Sequence, residues 1–142
     1  MAVRSGLEGR VDVNNLELVF DHLNARRSRD LARLESQLDP QVVHQGVLPE
    51  PVCNNREEVL HNVQRGFARD DFGVDRLELI DAGERVVVGL AGPRFRDVPW
   101  APLNGQIYVV YTIRDGRIAA MEDFLTRTEA LAAARAAAKD WD

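Results

Sequence analysis

Apolar positions recur at helical spacing in the first half of the chain and at alternate positions in the second. Leu16, Val19, Phe20 and Leu23 share one face of a predicted helix, with Asn14 or Asn15 as its cap. Leu31, Leu34 and Leu38 form a second stripe, opened by Ser28 as a further cap. Asp39-Pro40 ends it, because the residue before a proline is pushed out of the α region. Residues 41–47 are short and β-branched and read as a strand; Pro49 and Pro51 make the following stretch a loop. Asn55 caps a third helix with Glu57 and Glu58 in its first turn, where carboxylates suit the positive end of the dipole. Its stripe is Leu60, Val63 and Phe67.

The period changes after residue 73. Strands are predicted over 74–80, 85–91, 105–113 and 117–125, with a turn at 81–84. Residues 92–104 form a loop rich in Pro and Gly that carries Phe95 and Trp100. Asp115-Gly116 is a tight-hairpin signal, because that turn needs positive φ. Thr126 caps a last, Ala-rich helix to about residue 139. Helices first, hairpin-linked strands next and one helix last predict an α+β fold with a mainly antiparallel sheet. A single domain over 14–139 is expected, preceded by a tail at 1–13.

Composition narrows the function classes. The 142 residues carry 18 Lys and Arg against 23 Asp and Glu, a net charge of −5. That balance lacks the basic footprint of a nucleic-acid partner or an anionic membrane surface. No apolar run is long enough for a membrane span, and residues 1–13 have no apolar stretch of the signal-peptide kind. A cytoplasmic protein is therefore expected. Cys53 is the one cysteine, so an internal disulfide and a cysteine-clustered metal site are excluded. No Gly-rich phosphate loop, HExxH or GxSxG occurs, and three dispersed histidines make no metal constellation. Neither a metal nor a cofactor is expected.

Four stretches carry a family resemblance: Leu38-Asp39-Pro40-Gln41-Val42-Val43-His44, Asn55-Arg56-Glu57-Glu58-Val59, Arg114-Asp115-Gly116-Arg117-Ile118 and Glu122-Asp123-Phe124-Leu125-Thr126. Over roughly residues 14–135 the chain resembles the NTF2-like superfamily, most closely its SnoaL-like, polyketide cyclase-like branch. The resemblance implies a cone in which a curved sheet wraps around N-terminal helices and encloses a mostly apolar pocket. It also implies a homodimer through the outer face of the sheet. The superfamily holds isomerases, cyclases, dehydratases and non-catalytic binding modules, so it implies fold more sharply than activity. The segment from His44 to Pro51 further resembles limonene-epoxide hydrolases, with His44 at the place of their Tyr and Gly46 at the place of their Asn. Asp123 matches an Asp that helps activate water there. Those enzymes also carry an Arg-x-Asp pair on a middle strand, and residues 85–91 here offer no carboxylate.

Alternation on the last strand puts Ala119, Met121, Asp123 and Leu125 on one face, and Ile118, Ala120, Glu122 and Phe124 on the other. Either carboxylate could point inward; the resemblance favours Asp123. An apolar pocket disfavours a charged carboxylate and moves it toward acid/base duty. His44, in phase with Val42, is expected either to share a proton with Asp123 or to orient a substrate carbonyl. Tyr108 and Tyr111 lie on opposite faces of their strand, so one of them should enter the pocket as a hydrogen-bond donor. Trp100, Met121 and Phe20 complete the expected substrate-binding set. Trp100 lies in the Pro-rich loop with Phe95, Val98 and Leu103, which could form a pocket rim or a dimer contact; Arg94 and Arg96 there read as solvated charges. His22 and His61 read as off-stripe helix residues, and Cys53 as a bystander. Three functions are expected in descending order: proton-transfer chemistry without a cofactor on a small apolar substrate, a non-catalytic hydrophobic binding module, and an epoxide hydrolase.

Overall fold

The computed structural model describes residues 15–67, 74–92 and 105–139. The expected tail, Asn14 and the loop bearing Phe95, Val98, Trp100 and Leu103 lie outside the described residues.

Helix α1 spans Asn15–Ser28 and α2 spans Leu31–Gln37. Arg29 adopts a left-handed backbone (φ 60) between them. The cap of α2 is Asp30 rather than Ser28: its Oδ1 accepts from the Arg33 N–H at 3.1 Å. Strand β1 (Leu38–Gln45) begins as soon as α2 ends, three residues earlier than the β-branched stretch suggests. Pro40 fits because the pairing register shifts between Leu38 and Val43, so the missing N–H falls where the ladder is interrupted. A short β2 (Val52–Cys53) pairs with it. Helix α3 (Arg56–Gly66) is capped as expected, with Asn55 Oδ1 accepting from the Glu58 N–H at 2.9 Å.

Strands β3 (Arg76–Ala82), β4 (Arg85–Ala91), β5 (Gln106–Arg114) and β6 (Arg117–Phe124) form an antiparallel meander. Asp115 (φ 54) and Gly116 (φ 76) make the tight turn between the last two. The six strands stand in the order β2-β1-β6-β5-β4-β3, and β1 runs parallel to β6. Helix α4 (Arg127–Lys139) follows, with Thr126 Oγ1 accepting from the Glu129 N–H at 3.1 Å. The sheet is mixed, not closed, and carries helices on both faces, an α+β cone.

The two faces bury different sets. The inner face packs Val86, Val88, Val109, Tyr111, Ile113, Ile118 and Met121 against Val19, Leu23, Leu34 and Val59 of the first three helices. The outer face packs Val87 and Val110 against Ala130 and Ala134 of α4. Strict alternation would send Ile118 outward, yet it lies on the inner face with Met121. Thr112 pairs with Ala120 and Ile113 with Ile118, so Ala119 is an extra residue that resets the phase.

Leu34 is fully buried where α2 meets the sheet. Leu34→Ala should cost about 2–5 kcal/mol, the range for truncating a buried leucine. Equilibrium urea unfolding checks this; a loss under ~1 kcal/mol would mean that α2 does not anchor the core.

Candidate functional site

Two strands far apart in sequence set the site. In the parallel ladder His44 of β1 stands opposite Met121 of β6, and across β5 Tyr111 stands opposite the same Met121. Asp123, two residues on, stands opposite Val109. His44, Tyr111, Met121 and Asp123 thus share the inner face. His44 Nε2 lies 3.0 Å from Asp123 Oδ1, a contact between residues 79 apart in the chain. Their side chains keep 18% and 16% of their exposure, so the pair is largely desolvated while still touching solvent. With the carboxylate ionised, Nε2 carries the proton and donates to Oδ1. Glu122 is exposed, so of the two adjacent carboxylates it is Asp123 that lies inward.

Asp123 Oδ2 is left clear by its neighbour. A Cβ added at Gly46 would sit 3.9 Å from Oδ2, so the glycine keeps side-chain bulk away from that oxygen.

A second polar group lies behind the pair, and hydrophobic periodicity missed it. His22 is fully buried. Its Nδ1 is 3.2 Å from Gln37 Oε1, and Arg26 Nε donates to its Nε2 at 3.0 Å. A guanidinium has no acceptor, so Nε2 must offer its lone pair and Nδ1–H must donate to Gln37. The imidazole is thereby fixed in one neutral tautomer. Burial first, and then the Arg26 charge, hold its pKa well below the ordinary value; the Gln37 bond opposes this and His44 adds a further lowering. Arg26 Nη2 also reaches Met121 Sδ at 3.9 Å. The Tyr111 ring meets His22 edge-on at 5.7 Å. Burial, and secondarily the Asp123 charge, push the Tyr111 hydroxyl up against the opposing pull of Arg26. It stays protonated and so keeps its O–H as a hydrogen-bond donor. The signal for this group was the spacing Val19, His22, Leu23, Arg26, which is as helical as Leu16, Val19, Phe20, Leu23; α1 turns the former inward.

The other expected site residues lie elsewhere. Phe20 is 48% exposed and lines a surface groove with Asn24, Arg27 and Leu77. Tyr108 is on the outer face against the α4 cluster, its ring over Gly89, where an added Cβ would meet it at 2.8 Å. Neither is at the His44–Asp123 pair, because β5 alternates and α1 presents its His22 side. His61 is exposed. Cys53 donates to the Glu58 carbonyl at 3.7 Å, and burial together with the Glu58 charge raises its pKa, which favours the protonated thiol. Among the described residues no three His, Cys, Asp or Glu side chains are placed to hold a metal ion. No helix among them is long and apolar enough to cross a membrane.

Neutral His22 links the fold to pH. The unfolded imidazole takes up a proton near pH 6.5, whereas the folded one resists well below that. Stability is therefore complete above pH 6.5 and falls as pH drops toward the folded value, by up to about 1.4 kcal/mol per unit. In urea unfolding at pH 7.5, 6.5 and 5.5, wild type should lose this component and His22→Gln should lack it. Parallel pH profiles would show that His22 is not held neutral.

No family model matches the chain, and no curated protein matches it. Solved structures do. A candidate polyketide cyclase from Sinorhizobium meliloti superposes with a TM-score of 0.60 at 19% identity, covering 80% of this chain and 98% of that one. An NTF2-like protein of unknown function from Burkholderia pseudomallei gives 0.55 at 20% identity, over 84% and 95%. An uncharacterised cystatin-fold protein from Novosphingobium aromaticivorans gives 0.62 at 16%, over 82% and 99%. At 20% identity or less these likenesses speak to the fold alone, and they add nothing for limonene-epoxide hydrolases. The chain has the NTF2-like fold.

Proposed function

We propose that the chain binds a small, largely apolar molecule at the inner face of its sheet and moves a proton on it, using Asp123 and His44 without a cofactor. The observation that carries this reading is the 3.0 Å contact between His44 Nε2 and Asp123 Oδ1, two titratable groups brought together on an apolar wall. The polyketide cyclase-like neighbours are consistent with it.

Oδ1 is engaged with His44, which leaves Oδ2 to act. In this reading a carbonyl compound lies at the exposed edge of the His44–Asp123 pair with an α-hydrogen at Oδ2. The C–H electron pair moves into the carbonyl, Oδ2 takes the proton, and negative charge collects on the substrate oxygen. His44 stabilises the carboxyl group in both protonation states and keeps it oriented, as partner groups do in acid/base dyads. Return of the proton to another carbon is an isomerisation, and attack of the same carbanion on a second carbonyl is a cyclisation.

The test is α-proton exchange of a small cyclic ketone in D2O, followed by NMR. Wild type should exceed the buffer rate, and Asp123→Asn should remove most of that excess, on the order of 10²-fold or more, the usual reach of general base catalysis. Gly46→Val, which puts methyl groups beside Oδ2, should slow exchange without lowering the melting temperature. Equal rates in wild type and Asp123→Asn would overturn the reading. Saturable ketone binding without exchange would point instead to a binding module.

A further inference from the structure

Strand β3 ends the six-strand order, and no described strand pairs with its outer side. Both faces of the sheet are already packed, the inner one by the first three helices and the outer one by Ala130 and Ala134 of α4. The open feature is therefore the edge itself. Ala82 and Arg85 flank a two-residue turn, which makes them a hydrogen-bonded pair. Alternation along the antiparallel ladder then turns the N–H and C=O of Leu77, Leu79 and Asp81 away from β4.

Apolar surface gathers at the same edge. Leu77 is 42% exposed and Phe20 is 48% exposed, and both line one groove with Leu23, Asn24 and Arg27. Leu77 shares the inner side with Leu79, which packs against the core. Arg76 and Glu78 alternate to the outer side, where Glu78 meets Arg127 of α4 at 3.0 Å. Arg76 has no carboxylate within ion-pair distance among the described residues. Charges on an edge strand commonly bar it from pairing. The order Arg76-Leu77-Glu78 bars most self-pairings and admits one.

A two-fold axis normal to the sheet keeps inner side chains inner, so residues of equal parity must stand opposite one another. Centring the pair on Arg76 or on Glu78 sets like charges face to face, which is destabilising. Centring on Leu79 puts Leu77 opposite Asp81, and centring on Ile80 puts Leu79 opposite Asp81. Centring on Leu77 instead sets Arg76 of each copy opposite Glu78 of the other and brings the two exposed leucines together. Each Leu77 N–H then donates to the other Leu77 carbonyl. Glu78 can hold both Arg127 and the incoming Arg76, since each carboxylate oxygen accepts more than one bond.

We infer that the β3 edge is a docking surface for a second copy of this chain, paired antiparallel about Leu77 so that the two sheets run on as one. The leucines cover part of the Phe20 groove of each copy, and the Arg76–Glu78 pairs fix the register.

Charge exchange tests it, read by size-exclusion with light scattering and by amide hydrogen exchange. Wild type should show twice the chain mass of 15.9 kDa. Arg76→Glu and Glu78→Arg should each halve that mass, because each sets like charges opposite one another. An equimolar mixture of the two variants should restore the doubled mass, since one copy then carries two acids and the other two bases at the facing positions. A misfolded variant could not give that rescue. The Leu77 amide should exchange slowly in wild type and in the mixture, and rapidly in either variant alone. A monomeric wild type, a dimer that both variants retain, or a mixture that stays monomeric would each overturn the inference.

Discussion

The parallel pairing of β1 with β6 is the join on which the rest depends. A meander from β3 to β6 could form from hairpins alone, but it would leave one face of β6 unpaired and the inner valines bare. Laying β1 beside β6 closes that edge and brings α1, α2 and α3 over the inner face, since all three adjoin β1 in the chain. The closure entropy of so long a loop is paid once and grows slowly with length. The return is the burial of Leu34, Leu38, Val42 and Val59 against the sheet. The same join brings His44 to Met121 and hence to Asp123. The site is a consequence of how the sheet closes, and a shift of one residue in that ladder would turn His44 to the other face.

Two irregularities fix the phase of this wall. The register shift in β1 accommodates Pro40 and leaves Val42 and His44 inward. The extra residue at Ala119 lets Ile118 and Met121 both face the helices, and Asp123 follows Met121 by two. Without that insertion the large residue nearest the turn and the carboxylate near the end of β6 would compete for opposite faces. Bulges beside functional side chains are a common way to re-aim them.

The sheet was readable because hairpin strands obey local rules. Strand β4 matches its expected bounds, Asp115-Gly116 makes the expected turn, and Asn55 and Thr126 cap the helices assigned to them. The approach of His44 to Asp123 followed from strand parity together with the family resemblance. What stayed hidden depends on tertiary packing. Helix α1 offers two apolar faces sharing Val19 and Leu23, and a scan for hydrophobic residues chooses the one with Phe20 over the one with His22. The second face wins because His22 finds Gln37 and Arg26 as partners, which no single-helix pattern encodes. Asp30, rather than Ser28, caps α2 because Arg29 takes a left-handed backbone that extends the connection. Tyr108 and Tyr111 were rightly set on opposite faces, but only the packing of α4 decides which face is outer.

The two inner histidines divide the electrostatic work. Protonating His22 would break the bond that Arg26 donates to its Nε2 and would set two cations side by side in a buried site. Both costs are amplified by the low polarity around them. His22 therefore remains a neutral spacer, and Arg26 remains the fixed positive charge of this wall. His44 meets a carboxylate instead, so it is the imidazole that can share a proton with a neighbour. Exchanging the two partners would put a mobile proton beside the guanidinium and leave Asp123 without a donor.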